Sequence, residues 1–332
     1  MTYYAPLVSA LVTMLLTLLF VTSKAGILVQ DIPNERSLHD KPIPRMGGVA
    51  LVAGVISGWI LLFESSVLTS RVGWMALPAL GLFALSLVDD VYNLSPRIRL
   101  AGHFIAALFA LSTVGLAVPW FVPALLFVVW MTNLYNFMDG SDGLAGGMAL
   151  FGFGSYGLGA WLAGDSAFAL LNFSIAAAAA GFLYFNFHPA RIFMGDAGSI
   201  PLGFIAAVFG VSGWQQGYWP FWFPLLLFSP FMADATVTLL KRVKWGEKLS
   251  SAHRNHYYQR LVQMGCGHRN TALAEYGLML LAGATALWGI SLHPAGQGVM
   301  LLGWGIVYCV LMWRIDIHWQ EFQIAAKKVA DA

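Results

Sequence analysis

The residues best suited to chemistry stand in one stretch, NLYNFMDGSDGLAGG, which follows an apolar run of the chain. It combines two carboxamides, Asn133 and Asn136, with two carboxylates, Asp139 and Asp142. Polar groups beside a membrane-embedded segment are costly and therefore point to function. Because a glycine follows each carboxylate, the backbone can turn tightly and both groups can face one point, where they can bind a metal ion or move a proton.

A second acidic site is predicted in LVDDVYNLSPRIRL, where Asp89 and Asp90 are adjacent. Neighbouring carboxylates repel each other unless a cation or a proton-transfer partner is close. The pair is therefore a candidate for metal binding or general-base catalysis. The structural alternative is a pair of carboxylates held by ion pairs to Arg97 and Arg99.

The segment FNFHPARIFMGDAGSIPLGF places Asp196 between Gly195 and Gly198, directly before an apolar run. This arrangement resembles a phosphate-binding turn at a helix N-terminus, although the lysine of a P-loop is missing. Phe193 can stack on a nucleobase or can be a plain aromatic residue at the membrane interface.

Basic groups dominate two further segments. In AHRNHYYQRL, His253, Arg254 and His256 suit a diphosphate. A zinc site there would need a third ligand, and a surface helix is the structural alternative. In RSLHDKPIPRMGG, two prolines keep the chain extended and present Lys41 and Arg45 just before an apolar run, in a pattern too regular for a solvated loop.

The composition places all these segments in a membrane protein. Of the 332 residues, 58% are hydrophobic and 10% are charged, whereas soluble domains carry roughly 25% charged residues. Apolar runs of about 17–25 residues, each long enough to cross a bilayer as a helix, recur along the chain. We predict an all-α, polytopic integral membrane bundle of about 10–11 transmembrane helices. The predicted spans are residues 3–23, 47–63, 73–88, 101–118, 120–137, 146–163, 167–186, 199–213, 220–240, 271–290 and 298–313.

The distribution of basic residues predicts the orientation of this bundle. With the amino end outside, Arg71 alone among the 18 Lys and Arg residues falls on the outer side, as the positive-inside rule requires. The carboxyl end and all the polar segments then lie on the cytoplasmic side. We assign residues 1–313 to an integral membrane catalytic domain and residues 314–332 to a cytoplasmic amphipathic tail.

These groups together suit one class of reaction. Carboxylates bind magnesium, magnesium neutralises a diphosphate, and basic side chains stabilise the charge that builds on phosphoryl oxygens during transfer. The sequence therefore predicts phosphoryl transfer at the inner face of a membrane, with at least one lipid substrate.

The motifs between Arg36 and Leu261 also resemble, in order, those of the bacterial polyprenyl-phosphate N-acetylhexosamine-1-phosphate transferases, of the glycosyltransferase family 4 type. The resemblance is carried by RSLHDKPIPRMGG, LVDDVYNLSPRIRL, NLYNFMDGSDGLAGG, FMGDAGSIPLGF and HRNHYYQRL. It is closer to the O-antigen-initiating branch than to the phospho-N-acetylmuramoyl-pentapeptide transferases of peptidoglycan synthesis. The sequence HRNH departs from the family's commoner HxHH, so it stays open which histidine matches which.

The resemblance implies an enzyme of the bacterial inner membrane that transfers N-acetylhexosamine 1-phosphate from a UDP-sugar to undecaprenyl phosphate and releases UMP. It implies Mg²⁺ as cofactor, or Mn²⁺ in its place, with membrane lipids but no nucleic acid as further partners and a homodimer as a candidate assembly. The sugar (N-acetylglucosamine, N-acetylfucosamine or N-acetylquinovosamine) and the choice between direct attack and a covalent intermediate stay open. The implied site residues are Asp89, Asp90 and Asp196 for catalysis, Asp196 and Asp139 for the metal, and Asn136, Asp139, Asp142, Asn186, Phe193, His253, Arg254, His256, Lys41 and Arg45 for the substrates.

The main alternative from another class is a proton-coupled transporter. Asp234 and Glu275, which stand in apolar spans, suggest it, and we expect Asp234 to face an internal polar cavity. Transporters, however, place their functional charges near the bilayer midplane in two related halves. Here the acidic motifs lie at one face and the sequence has no internal repeat.

Overall fold

The structure of the chain, a computed structural model, describes residues 2–23, 30–33, 38, 42–64, 70–247 and 253–330. Lys41 lies outside these residues. The predicted all-α fold is confirmed, with two short antiparallel strands, β1 (Gln30–Asp31) and β2 (Ile43–Pro44), in addition. The helices are α1 (Ala5–Thr22), α2 (Gly47–Glu64), α3 (Ser70–Tyr92), α4 (Pro96–Val114), α5 (Val118–Phe137), α6 (Leu144–Leu162), α7 (Ser166–Asn186), α8 (Asp196–Gln215), α9 (Trp222–Leu227), α10 (Ser229–Lys244), α11 (Tyr257–Leu261), α12 (Gly267–Gly289) and α13 (Pro294–Ala330).

Among the described residues, nine helical stretches are long and apolar enough to cross a membrane. They comprise α1 to α5, α7, α8, α12 with the turns that precede it, and α13. The predicted span over residues 146–163 corresponds to α6, whose many glycines lower its hydropathy although it packs along α7. The chain is thus a multi-pass membrane protein.

The predicted span over residues 220–240 is interrupted in the structure. It consists of the six-residue helix α9 and the separate helix α10, which meet at Phe228. Pro230 stands at the start of α10. A proline fits the first turn of a new helix but cannot donate a hydrogen bond within a continuing one. The chain can therefore change direction here, before α10 begins.

Helix α8 forms the centre of the bundle. Every residue from Ala197 to Gly213 is buried, and α8 packs against α2, α3, α4, α5 and α6. Its first residue is Asp196. The bundle therefore surrounds the helix that begins at the predicted catalytic carboxylate.

Two glycines bring the start of α2 against the start of α8. A β-carbon built on Gly48 would lie 2.3 Å from the backbone nitrogen of Gly198, so neither helix tolerates a side chain at this contact. The backbone N–H of Gly47 donates to the carbonyl of Phe193 (2.9 Å), and that of Gly48 donates to the carbonyl of Met194 (2.8 Å). The sequence PRMGG therefore fixes Arg45 beside the first turn of α8.

Helix α13 is the most exposed of the long helices. It runs from Pro294 to Ala330 without a break at the predicted boundary between residues 313 and 314. At 1.5 Å per residue, its 37 residues span about 55 Å. The segment assigned to an amphipathic tail thus continues the last membrane helix.

Candidate active site

Asp196 is at the centre of a cluster of carboxylates and guanidinium groups. One of its oxygens contacts Nη2 of Arg45, and the other lies 3.8 Å from Nη1 of Arg99. Nη1 of Arg45 lies 3.7 Å from Asp90, and Nη1 of Arg99 lies 3.2 Å from Asp89. Two cations therefore connect three carboxylates that come from the end of α3 and the start of α8.

The turn that joins α3 to α4 brings Arg99 close to Asp89. Asn93 has a positive φ of 50°, and the N–H of Leu94 donates to a carboxylate oxygen of Asp89 (2.7 Å). Ser95 then caps α4, so that Arg99, one turn into α4, returns toward Asp89. The structural alternative for the acidic pair is correct in part, since Arg99 pairs with Asp89. Asp90 pairs instead with a cation from a distant part of the chain.

Burial and the neighbouring carboxylates shift the pKa of Arg45 in opposite directions. Burial alone lowers the pKa of its guanidinium, but the carboxylates of Asp196 and Asp90 outweigh burial and raise it above its ordinary value. Arg45 therefore stays charged. It presents a fixed positive charge to any anion that enters the site.

Asp139 and Asn136 connect the opening motif to the same turn. Asp139 accepts the N–H of Gly195 (3.1 Å), and the amide oxygen of Asn136 accepts the hydroxyl of Ser199 (2.7 Å). Burial raises the pKa of Asp139 well above its ordinary value; Arg45 acts against this, and Asp196 adds to it. Gly195 has a φ of 71°, a conformation that side chains rarely adopt. The glycine thus allows the turn that places Asp139 beside Asp196.

Asp142 and Asn186 face a neighbouring set of groups rather than Asp196. Asp142 lies 2.6 Å from Nδ1 of His188 and accepts the N–H of Ala190 (3.1 Å). Both amide atoms of Asn186 bind backbone: its oxygen accepts from Gly143 (3.0 Å), and its nitrogen donates to Ile192 (2.9 Å). These residues join the loop after α5 to the loop after α7.

Sequence reasoning did not single out two histidines beside Asp142. The rings of His188 and His268 stack with centroids 5.6 Å apart and planes 8° from parallel. His268 also contacts the Ser141 hydroxyl (2.8 Å) and the Leu38 carbonyl (3.1 Å). The position of His188, directly after an apolar run that ends in Asn186, was the signal available in the sequence. His268 carried none, since it lies 126 residues after Asp142.

The segment with the basic motif is buried rather than a surface helix. His256 is 4% exposed, and Tyr257 to Arg260 are buried. The rings of His253 and His256 lie 5.0 Å apart. Burial lowers the pKa of His253 to about 4, and the neighbouring His256 and Arg242 add to the shift. His253 is therefore neutral near pH 7. Arg254 follows it in the loop and holds Gln263 through its backbone carbonyl (3.0 Å).

This segment packs against the opening motif. The Tyr258 hydroxyl donates to the carbonyl of Phe137 (3.3 Å), and the Phe137 ring lies 6.4 Å from that of His256. A β-carbon on Gly140 would meet the Tyr258 hydroxyl at 2.2 Å. Phe193 is partly buried and connects through its backbone to Pro44 and Gly47. The five polar segments of the sequence thus meet at one end of the bundle.

The donors in this site fit magnesium better than zinc. Within the described residues, no three His, Cys, Asp or Glu side chains are arranged to hold a metal ion on their own. Zinc would need such a set. Magnesium is usually held by one or two carboxylates together with substrate phosphates and water. Asp196 and Asp139, which approach each other at the Gly195 turn, supply oxygens of this kind.

A helical membrane bundle with paired carboxylates and guanidinium groups at one end defines a class, the membrane-embedded enzymes that act on anionic substrates. Residues 72–213 match the family described as Glycosyl transferase family 4. The chain is 31% identical to a "Probable undecaprenyl-phosphate N-acetylglucosaminyl 1-phosphate transferase" of Bacillus subtilis, with 81% of each chain covered. It is 30% identical to a "Decaprenyl-phosphate N-acetylglucosaminephosphotransferase" of Mycolicibacterium smegmatis, over 86% of this chain and 81% of the relative.

The chain therefore belongs to glycosyl transferase family 4, and it is a phosphoglycosyltransferase. The resemblance drawn from the motifs is confirmed at the level of the family, and the transporter alternative is set aside. A phospho-N-acetylmuramoyl-pentapeptide-transferase of Halalkalibacterium halodurans is a more distant relative, 28% identical over 52% of this chain and 62% of its own.

Proposed function

We propose that this enzyme transfers N-acetylhexosamine 1-phosphate from a UDP-sugar to undecaprenyl phosphate at the cytoplasmic face of the bacterial inner membrane. The single observation that carries the proposal is the cluster in which Arg45 and Arg99 connect Asp196 to Asp89 and Asp90. The relatives' names, which specify polyprenyl phosphates and N-acetylglucosamine, support the two substrates.

The chemistry requires two anions to approach each other. An oxygen of the lipid phosphate attacks the β-phosphorus of the UDP-sugar, and the bond from that phosphorus to the bridging oxygen breaks. UMP leaves with the bridging oxygen and its electron pair, and the product is a lipid diphosphate sugar. Arg45 and Arg99 reduce the repulsion between the reactants and stabilise the charge that builds on the phosphoryl oxygens.

The carboxylates divide into two roles in this proposal. Asp89 and Asp90 position or deprotonate the acceptor phosphate, beside the guanidinium groups that hold it. Asp196 and Asp139 would hold Mg²⁺, which when bound neutralises the diphosphate of the donor.

The nucleotide would occupy the adjoining surface. Asn136 accepts from Ser199 of α8, Asp142 contacts the loop after α7, and Asn186 joins the loops after α5 and α7. We expect the nucleoside of the donor to lie beside these residues and Phe193. His253, Arg254 and His256 contact the diphosphate or sugar. Among the candidate sugars we place N-acetylglucosamine first, because the relatives' names specify it. Initiation of O-antigen or of a related surface glycan follows from such a product.

The test is release of UMP by the purified protein with Mg²⁺, undecaprenyl phosphate and a panel of UDP-N-acetylhexosamines. We expect UMP release that depends on both the acceptor and the metal. A suitable control is Glu64→Gln, which neutralises an exposed carboxylate at the far end of α2 from Arg45. A folded wild-type protein that releases no UMP with any UDP-sugar would refute the proposal.

A further inference from the structure

Asp234 is almost completely buried, and the polar groups that contact it belong to the chain itself. It is 4% exposed, and its carboxylate accepts the backbone N–H groups of Tyr257 and Tyr258, each at 2.9 Å, one on each oxygen. These are N–H groups of the first turn of α11, which have no partner within a helix. The chain itself therefore supplies partners for both oxygens of Asp234, while a polar cavity beside this carboxylate stays a prediction.

The same carboxylate fixes the ring of His256. Nδ1 of His256 lies 3.1 Å from Oδ1 of Asp234. An ionised carboxylate is only an acceptor, so a hydrogen bond between it and the imidazole places the proton on Nδ1. Nε2 makes no hydrogen bond to any residue in the described part of the chain. The rings of His253 and Tyr258, 5.0 and 5.9 Å away, hold the imidazole plane.

We propose that Asp234 is a positioning residue for the transfer reaction. It holds His256 with Nδ1 protonated and presents Nε2 to the diphosphate-sugar of the donor. This inference rests on the proposed function, because it assigns Asp234 a part in the same reaction. It also names His256, of the two histidines in the motif, as the one held for substrate.

The variant Asp234→Asn tests this role with little change in shape. The amide has one accepting oxygen and no negative charge. With its nitrogen at the Oδ1 position, both Nδ1–H of His256 and the Tyr257 N–H lose their acceptor; with its nitrogen at the Oδ2 position, the Tyr258 N–H loses its acceptor and Nδ1–H of His256 faces a neutral oxygen. We expect kcat to fall on the order of 10²-fold or more, as when an imidazole is held in the wrong tautomer, with a smaller change in KM.

Thr238→Val is the matched control. The Thr238 hydroxyl donates to Oδ1 of Asp234 at 3.1 Å, and within the described part of the chain it makes no hydrogen bond to residues 256–260. Its removal leaves both backbone contacts and the His256 contact in place. We expect kcat to fall by less than about fivefold, since Asp234 keeps its charge and its contacts to His256, Tyr257 and Tyr258.

A double-variant cycle separates positioning from a purely structural role. If Asp234 acts through His256, then Asp234→Asn combined with His256→Ala should be no slower than His256→Ala alone. The proposal would be overturned if the two substitutions lowered kcat multiplicatively in the double variant. It would also be overturned if kcat of Asp234→Asn lay within about fivefold of the wild-type value.

Amide hydrogen exchange gives a readout that does not depend on activity. In Asp234→Asn we expect faster exchange at Tyr257 and Tyr258 than in Thr238→Val, because their N–H groups lose a charged acceptor. Equal exchange in the two variants would contradict the anchoring itself. Absence of UMP release by the wild-type protein would instead refute the proposed function, whatever the exchange shows.

Discussion

Two aspartates organise this enzyme, and they are held in different ways. Asp196 is partly exposed and is paired with charged side chains, the guanidinium groups of Arg45 and Arg99. Asp234 is buried and bound by backbone N–H groups, whose positions are fixed by the fold. Side-chain ion pairs can rearrange when a substrate or metal enters, whereas buried hydrogen bonds to backbone cannot be exchanged at low cost. By this comparison we expect Asp196 to meet the reactants and Asp234 to hold the neighbouring segment in place.

The largest expected effect is at Asp196. Asp196→Asn keeps the shape of the side chain but removes the negative charge that faces Arg45 and Arg99 and that would bind Mg²⁺ in the proposed reaction. We expect UMP release to fall by about 10³-fold or more, with the protein folded. Steady-state assays on the variant, with Glu64→Gln as the control, measure this. A rate within tenfold of wild type would remove Asp196 from the catalytic set.

Arg45→Lys should give the next largest effect. Lysine keeps the charge but cannot reach Asp196 and Asp90 with two separate nitrogens. We expect a fall of about 10²-fold in kcat/KM, measured with both the UDP-sugar and the acceptor varied. Wild-type kinetics in this variant would show that the double contact of Arg45 has no part in the reaction.

A smaller effect is expected at Asp316, which supports the same segment as Asp234 but from α13. Asp316 accepts from Arg260 (2.9 Å) and from the Tyr257 hydroxyl (3.2 Å), and it contacts Lys241. Because Asp316 is partly exposed, these pairs contribute about 1 kcal/mol or less. Asp316→Asn should therefore slow turnover by less than about fivefold. A loss as large as that of Asp234→Asn would mean that side-chain contacts, rather than backbone contacts, position the segment.

The smallest expected effect concerns acid stability. The pKa of His253 is about 4 in the folded chain and 6.5 in a free side chain. Below pH 6.5 the unfolded state binds this proton more readily, so stability should fall as the pH decreases toward 4 and should be unaffected above 6.5. Thermal unfolding against pH should show a shallower acid-side decrease for His253→Gln than for wild type. Identical curves would contradict a neutral, partly buried His253.

Much of the site was predictable because its residues are chemically out of place. The ends of the apolar runs carry four carboxylates, Asp89, Asp90, Asp139 and Asp196. Charged groups are costly beside a membrane-embedded segment, so their presence there indicates function. Their grouping at one end of the bundle could be predicted because successive loops of a helical membrane protein lie on alternate sides of the membrane. The fold class could be predicted from the hydropathy and length of the apolar segments, because a segment that spans a membrane without water must satisfy its backbone hydrogen bonds as a helix.

The pairing of these residues was not predictable in the same way. The contact between Arg45 and Asp196 joins positions 151 residues apart and depends on the close approach of Gly48 to Gly198. The role of Asp234 was missed because backbone N–H groups carry no signal in side-chain patterns. Such partners become visible only when the whole chain is folded.

The central claim is that the cluster around Asp196 transfers a sugar phosphate to a lipid. Mass spectrometry of the lipid products formed by wild type and Asp196→Asn from undecaprenyl phosphate and UDP-N-acetylglucosamine tests it most directly. We predict undecaprenyl diphosphate N-acetylglucosamine from the wild type and none from the variant. Equal amounts of that product from both proteins would contradict the account.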